Sequence, residues 1–109
     1  MQAKAILKYA RLTPSKAKRV ADLVKGKKAD EALLSLKFMP YRGARYVAKA
    51  LRSAMANAEQ KNADAEKMKI KSAVVGAGPS MKRMEPRSMG RANIRKKRSS
   101  HITILLSDE

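Results

Sequence analysis

Arg98-Ser99-Ser100-His101-Ile102-Thr103-Ile104-Leu105-Leu106-Ser107 is the most legible stretch of this chain. Ile102, Ile104 and Leu106 alternate with Thr103 and Leu105, so one face is wholly apolar and the other partly so. β-branched residues dominate the run, as in strands. Residues 101–107 therefore read as a buried or central strand.

Immediately upstream, residues 79–99 are of a different kind. They carry Lys82, Arg83, Arg87, Arg91, Arg95, Lys96, Lys97 and Arg98 against a single acid, Glu85. Pro79, Pro86 and Gly90 punctuate them, and no apolar period is long enough to build a core. Further upstream, Met68, Ile70, Ser72 and Val74 alternate with Lys67, Lys69 and Lys71, which reads as a strand with one apolar and one basic face. That strand frays into Gly76-Ala77-Gly78-Pro79. With a strand on either side, residues 79–99 read as an extended hairpin turning near Arg87–Arg91. Arms of about ten residues at about 3.3 Å each would reach roughly 30 Å. An isolated two-stranded ribbon is marginal in water, so this one is expected to need a partner.

The rest of the chain supplies helices and one more strand. Residues 2–10 alternate Ala3, Ala5 and Leu7 with Lys4, Ile6 and Lys8, a moderate strand pattern. Thr13-Pro14 reads as a helix start, with Thr as N-cap and Pro at the first helical position. Ala17, Val20, Ala21 and Val24 then follow at helical spacing, and Gly26 is placed to end the helix. A second helix is expected from Ala29 to Leu36, with Asp30 and Glu31 in its favourable first turn. Pro40 bars its continuation. A third runs from about Tyr41 to Gln60, with Ala44, Val47, Ala48, Leu51, Met55 and Ala58 as its apolar stripe. Asn62 to Glu66 reads as a polar loop. The expected fold is α+β: three helices on a small three-stranded antiparallel sheet, with a long protruding hairpin. All 109 residues form one domain on this reading, and no repeat is evident.

Charge separates the functional classes. Lys and Arg total 26 against nine acids, a net charge of +17. Self-repulsion at that charge opposes compaction unless a polyanion offsets it. Nucleic acid is the leading partner, and an anionic membrane surface the rival. The cations are uneven: residues 1–28 hold nine with one acid, 29–66 hold six with five, and 67–99 hold eleven with one. The outer blocks are expected to converge in space, leaving the balanced middle as scaffold. In the first block, Ser15, Lys16, Lys18 and Arg19 open a helix, where backbone N–H groups attract phosphate. Lys4, Lys8, Arg11, Lys25 and Lys27 extend that surface. In the last block, Arg83, Arg95, Lys96, Lys97 and Arg98, with Ser99 and His101, continue it along the hairpin. Met81, Met84, Met89 and Ile94 lie among these cations, which suits contact with bases and sugars as well as phosphates.

Other classes find little support. The chain has no cysteine, which removes disulfides and thiolate chemistry. His101 is the sole histidine, and its neighbours Ser99, Ser100 and Asp108 are not placed to form a triad with it. The carboxylates are scattered, so no acid–base pair or metal cage is expected. Gly76-Ala77-Gly78-Pro79 is no phosphate loop, because Pro79 breaks the helix start that such loops need. The few aromatics, Tyr9, Phe38, Tyr41 and Tyr46, make no platform for successive bases. Tyr46 reads as core and Tyr41 as a helix-start contact. The N-terminal nine residues lack an apolar core of signal-peptide length. No enzyme, cofactor, metal or small-molecule substrate is expected, and no membrane partner. An architectural DNA-binding protein with the hairpin in a groove is the alternative reading.

The last third resembles the family of the bacterial twenty-second protein of the large ribosomal subunit. Lys82, then Arg87-Ser88, Gly90-Arg91, His101-Ile102, Ile104 and Leu106 stand at that family's spacing. Gly78-Pro79-Ser80-Met81-Lys82-Arg83 and Arg98-Ser99-Ser100-His101-Ile102-Thr103 add to the likeness. So do Lys18-Arg19-Val20-Ala21-Asp22-Leu23-Val24-Lys25-Gly26-Lys27 and Ser53-Ala54-Met55-Ala56-Asn57-Ala58. The resemblance implies a cytoplasmic, ribosome-bound protein that binds large-subunit ribosomal RNA and assists assembly. It implies neighbouring ribosomal proteins as partners, and a hairpin tip that lines the nascent-peptide exit tunnel. By position, Lys82, Arg83, Arg87, Ser88, Met89, Gly90 and Arg91 would form that tip, beside the passing nascent peptide. The chain departs from the family pattern at Gly76-Ala77, where many relatives carry two acids, at Asn93, often Asp, and at Met89, often basic.

Overall fold

The computed structural model describes residues 2–62, 64–86 and 92–108. Its elements, in chain order, are β1 (Gln2–Ala10), α1 (Pro14–Val24), α2 (Ala29–Phe38), α3 (Arg42–Gln60), a 3-10 turn (Ala65–Lys67), β2 (Lys69–Ala77), β3 (Met81–Pro86), β4 (Ala92–Lys97) and β5 (Ser100–Ser107). β5 is central in an antiparallel sheet of order β1-β5-β2. The architecture is the expected α+β one, with three helices against a three-stranded antiparallel sheet.

β5 is central because its inward row is apolar throughout. Ile102, Ile104 and Leu106 are fully buried, and Ser100 continues the row. The Ser100 Oγ donates a 2.7 Å hydrogen bond to the Leu12 carbonyl, so the buried hydroxyl is satisfied. The helices cover this face: α3 lies over β1 and β5, α1 over β2, and α2 against α3. Alanine dominates the helical side of the core, with Ala17, Ala21, Ala29, Ala32, Ala44, Ala50, Ala54 and Ala58 all buried around Val20, Val24, Val47 and Leu51. Such small side chains let the helices approach closely. At Gly43 the approach is closest: a Cβ there would stand 3.1 Å from Leu12 Cδ2 and 3.3 Å from the Lys16 carbonyl.

Two β-bulges alter the simple alternation. In β2 the pairing with β5 shifts between Ile70 and Ser72, which inserts Lys71 as an extra residue. The parity of the strand flips there. Ala73 and Val75 consequently stand opposite Ile104 and Ile102 on the core side, and Val74 faces out at 58% exposure. Val74 was expected inward with Met68 and Ile70, and the bulge is why it is not. In β1 the shift lies between Leu7 and Ala10, where Tyr9 adopts φ +60°.

Other boundaries differ modestly. The second helix continues past Leu36 to Phe38, and the third starts at Arg42 rather than Tyr41. The loop read over Asn62 to Glu66 contains the start of the 3-10 turn, with Ala65 buried. Thr13 holds the N-cap position of α1, yet its side chain makes no cap; its Oγ lies 3.4 Å from Ser15 Oγ instead. After α1, Gly26 takes φ +85°, a conformation that favours glycine. That turn lets the Gly26 N–H reach the Ile70 carbonyl, while the Ile70 and Ala29 N–H groups reach Lys27 and Met68 carbonyls. The α1–α2 link thus covers the outer edge of β2. On the opposite edge, Asn57 Nδ2 and Lys61 Nζ donate to the Lys4 and Gln2 carbonyls of β1. Both sheet edges are therefore partly closed against strand addition.

β3 and β4 form a separate two-stranded ladder, running from Met81 opposite Lys97 to Pro86 opposite Ala92. They contact chiefly each other. The radius of gyration is 16.7 Å and the longest dimension 61 Å. A compact chain of this length would have a radius of gyration of about 13 Å.

Candidate nucleic-acid interface

The first basic block is surface. Lys4, Lys8, Arg11, Ser15, Lys16, Lys18, Arg19, Lys25 and Lys27 are all exposed; on α1 this follows from the spacing of Ala17, Val20, Ala21 and Val24, which turns one face inward and leaves the other for the cations. Asp22 is the one acid on that helix. Where α1 begins, it meets the neck of the ribbon. Pro14, Ala77, Gly78, Ser80, Arg98 and Ser99 line one hollow of about 270 Å³. The start of α1 and Arg98 of the last basic block therefore border the same hollow.

The neck is tightly built. The Gly78 N–H donates to the Ser99 carbonyl at 2.9 Å, and Ser99 Oγ donates to the Pro79 carbonyl at 2.7 Å. A Cβ on Gly78 would lie 2.5 Å from Ser99 Oγ and 3.3 Å from the His101 ring, so glycine is needed there for space. His101 is held by its neighbour strand: the Tyr9 backbone N–H donates to His101 Nδ1 at 3.0 Å, and the two rings meet edge to face at 4.9 Å. Ser99 and His101, both expected to bind RNA, are partly exposed, and each also makes one side-chain hydrogen bond at the neck.

On the ribbon, Lys82 stands opposite Lys96 and Arg83 opposite Arg95, a register that puts Lys82 and Arg83 in the half of the ladder nearer the neck and not at the tip, where the resemblance placed them. Like charges directly opposite in a ladder are destabilising. Lys82 and Arg98 are exposed. The tip residues Arg87, Ser88, Met89, Gly90 and Arg91 lie outside the described residues, so their expected role stays an expectation.

In the middle of the chain, where cations and acids nearly balance, the fold gathers four of the cations on one side. Arg42, Arg45 and Arg52 of α3, with Lys37 of α2, line a groove of about 730 Å³ floored by Leu33, Leu36 and Met39. Beside it, Lys16, Arg19 and Arg42 gather around Tyr41, with the Arg19 guanidinium 5.8 Å from the ring centre. Tyr41 and Arg42 were not among the expected RNA-facing residues. The signal that could have found them is Tyr41-Arg42-Gly43, an aromatic and a cation at a helix start. Among the described residues no cluster of His, Cys, Asp or Glu could hold a metal ion. No helix among them is long and apolar enough to cross a membrane.

A basic two-layer α+β body joined to a basic two-stranded ribbon has the form of a ribosomal protein. Residues 5–107 match the family model described as ribosomal protein L22p/L17e. Three relatives called large ribosomal subunit protein uL22 align with the whole chain. Those from Desulforamulus reducens and Syntrophobacter fumaroxidans are each 50% identical, over 97% and 100% of their own lengths. That from Clostridioides difficile is 49% identical over 99% of its length. This chain belongs to the ribosomal protein L22p/L17e family. It is accordingly a ribosomal protein, whose work is structural, and not an enzyme.

Proposed function

We propose that this protein is a structural constituent of the bacterial large ribosomal subunit, in the cytoplasm, and works by binding large-subunit ribosomal RNA. The observation that carries the reading is the placement of cations: an exposed basic face on α1 and β1 meets, at the neck, a ribbon whose cations oppose one another. Such an arrangement is repulsive alone and becomes favourable when phosphates enter between the cations. The chain acts as one domain. Its arm, residues 79–99, runs into folded RNA while the body stays outside. Lys4, Lys8, Arg11, Ser15, Lys16, Lys18, Arg19, Lys25 and Lys27 bind from the body, and Lys82, Arg83, Arg87, Arg91, Arg95, Lys96, Lys97 and Arg98 bind from the arm. Joining distant RNA segments in this way assists assembly. The tip, residues 87–91, lines the exit tunnel, where it meets the nascent peptide, and Lys82 and Arg83 stand behind it in the half of the ladder nearer the neck.

The test is co-sedimentation. Tagged full-length protein should travel with large subunits at physiological salt. Recovery only in the free protein fraction would reject the assignment. Competition between large-subunit RNA and duplex DNA separates the architectural DNA-binding alternative, for which DNA would compete equally.

A further inference from the structure

We propose that the hollow between the starts of α1 and α3 seats a single unstacked RNA nucleotide, its base on Tyr41 and its phosphate among Lys16, Arg19 and Arg42. The inference rests on the RNA-binding reading above and adds a site to it. The hollow measures about 230 Å³ and is lined by Lys16, Arg19, Pro40, Tyr41, Arg42 and Gly43. That is smaller than the roughly 300–1,000 Å³ of sites for drug-sized ligands, so the occupant is a single small unit of a longer chain. Three of the lining residues are cations and none is an acid.

The Tyr41 ring distinguishes this hollow from a merely basic surface. It is 42% exposed, although Tyr41 sits between buried Gly43 and half-buried Met39. Arg19 covers part of it at 5.8 Å from the centroid, a cation–π arrangement that holds the ring in place and leaves its remainder open. A fixed, partly exposed aromatic flanked by guanidinium groups is the chemistry that stacks an extruded base and pairs its phosphate. Gly43 sets the spacing of the walls: its Cβ position is crowded by Leu12, Val20 and the Lys16 carbonyl, so only glycine lets the two helices stay this close.

Full-length protein and deproteinised large-subunit RNA, measured by filter binding over a salt series, test the seat. Tyr41→Ala should weaken binding about tenfold, the order of one base–aromatic stack, and leave the salt slope unchanged. Tyr41→Phe should bind like the parent. Arg42→Gln should weaken binding and flatten the slope by about 0.7–0.9, one phosphate contact. Thermal melts of each variant, expected to match the parent because both side chains are exposed, exclude misfolding. Tyr41→Ala binding as tightly as the parent would overturn the seat while leaving the wider RNA reading intact. Polyglutamate displacing RNA from the parent but not from Tyr41→Ala would overturn it in favour of an acidic protein segment. Parent protein with no salt-dependent RNA binding would reject both readings together.

Discussion

At the scale of single residues, the neck shows how space and hydrogen bonding act together. The Ser99 hydroxyl fills the space that a Cβ on Gly78 would need, and it has a fixed task on the Pro79 carbonyl. Gly78→Ala should therefore displace that hydroxyl and cost about 1 kcal/mol, one net hydrogen bond, in urea denaturation. In a Ser99→Ala background the same substitution should cost clearly less, because the two changes remove one interaction. Equal costs in both backgrounds would show that the hydroxyl is not what crowds Gly78. Ser100 is a harder case. Its buried Oγ is a hydrogen-bond donor to the Leu12 carbonyl, so Ser100→Ala should destabilise by about 1–3 kcal/mol. None of this could be read from Arg98-Ser99-Ser100-His101 as letters. The serines look alike in sequence, and only the turn geometry assigns one to Pro79 and the other to Leu12.

At the scale of elements, much was legible. The spacing of Ala17, Val20, Ala21 and Val24 predicts the buried face of α1, and all four are fully buried. Ile102, Ile104 and Leu106 identify the central strand for the same reason: a period-two apolar row has only one place to go. The failures have a common cause. Val74 continues the apolar parity of Met68 and Ile70 in sequence, but the bulge at Lys71 reverses it, and a bulge is set by register with β5 rather than by local propensity. Ala73-Val74-Val75, apolar at successive positions, permits either parity. On α3 the stripe was read one residue off centre: Ala50 and Ala54 are buried, while Ala48 and Met55 are half-buried. In so alanine-rich a helix the contrast between faces is weak, and tertiary contact decides the rotation. Leu51 is the largest fully buried side chain of α3, so Leu51→Ala should cost about 2–5 kcal/mol and Leu51→Asp should abolish the folded body. Circular dichroism melts check both. A Leu51→Asp variant that melts like the parent would contradict the packing described for α3.

At the scale of the whole molecule, charge and shape have to be considered together. A chain carrying +17 holds only a modest alanine-rich core, and its longest dimension is 61 Å. Composition alone made the polyanion partner legible, because no other class accounts for so large an excess. It could not reveal that Arg42, Arg45 and Arg52 add a basic groove to the body, since their segment balances cations with acids along the chain while the fold gathers them on one side. Because β3 and β4 contact chiefly each other, deleting Met81, Lys82 and Arg83 should leave the melting of the body nearly unchanged. In assembled ribosomes the same deletion should alter the tunnel wall, read by cryo-microscopy; an unaltered tunnel would reject the placement of the tip. The most direct test of the central claim is the salt dependence of binding to purified large-subunit RNA. If exposed cations of the body and ribbon bind phosphates together, the logarithm of affinity should fall linearly with that of salt concentration. Each phosphate should contribute about −0.7 to −0.9, for a total of several units. Affinity that stays constant between low and high salt would contradict the account.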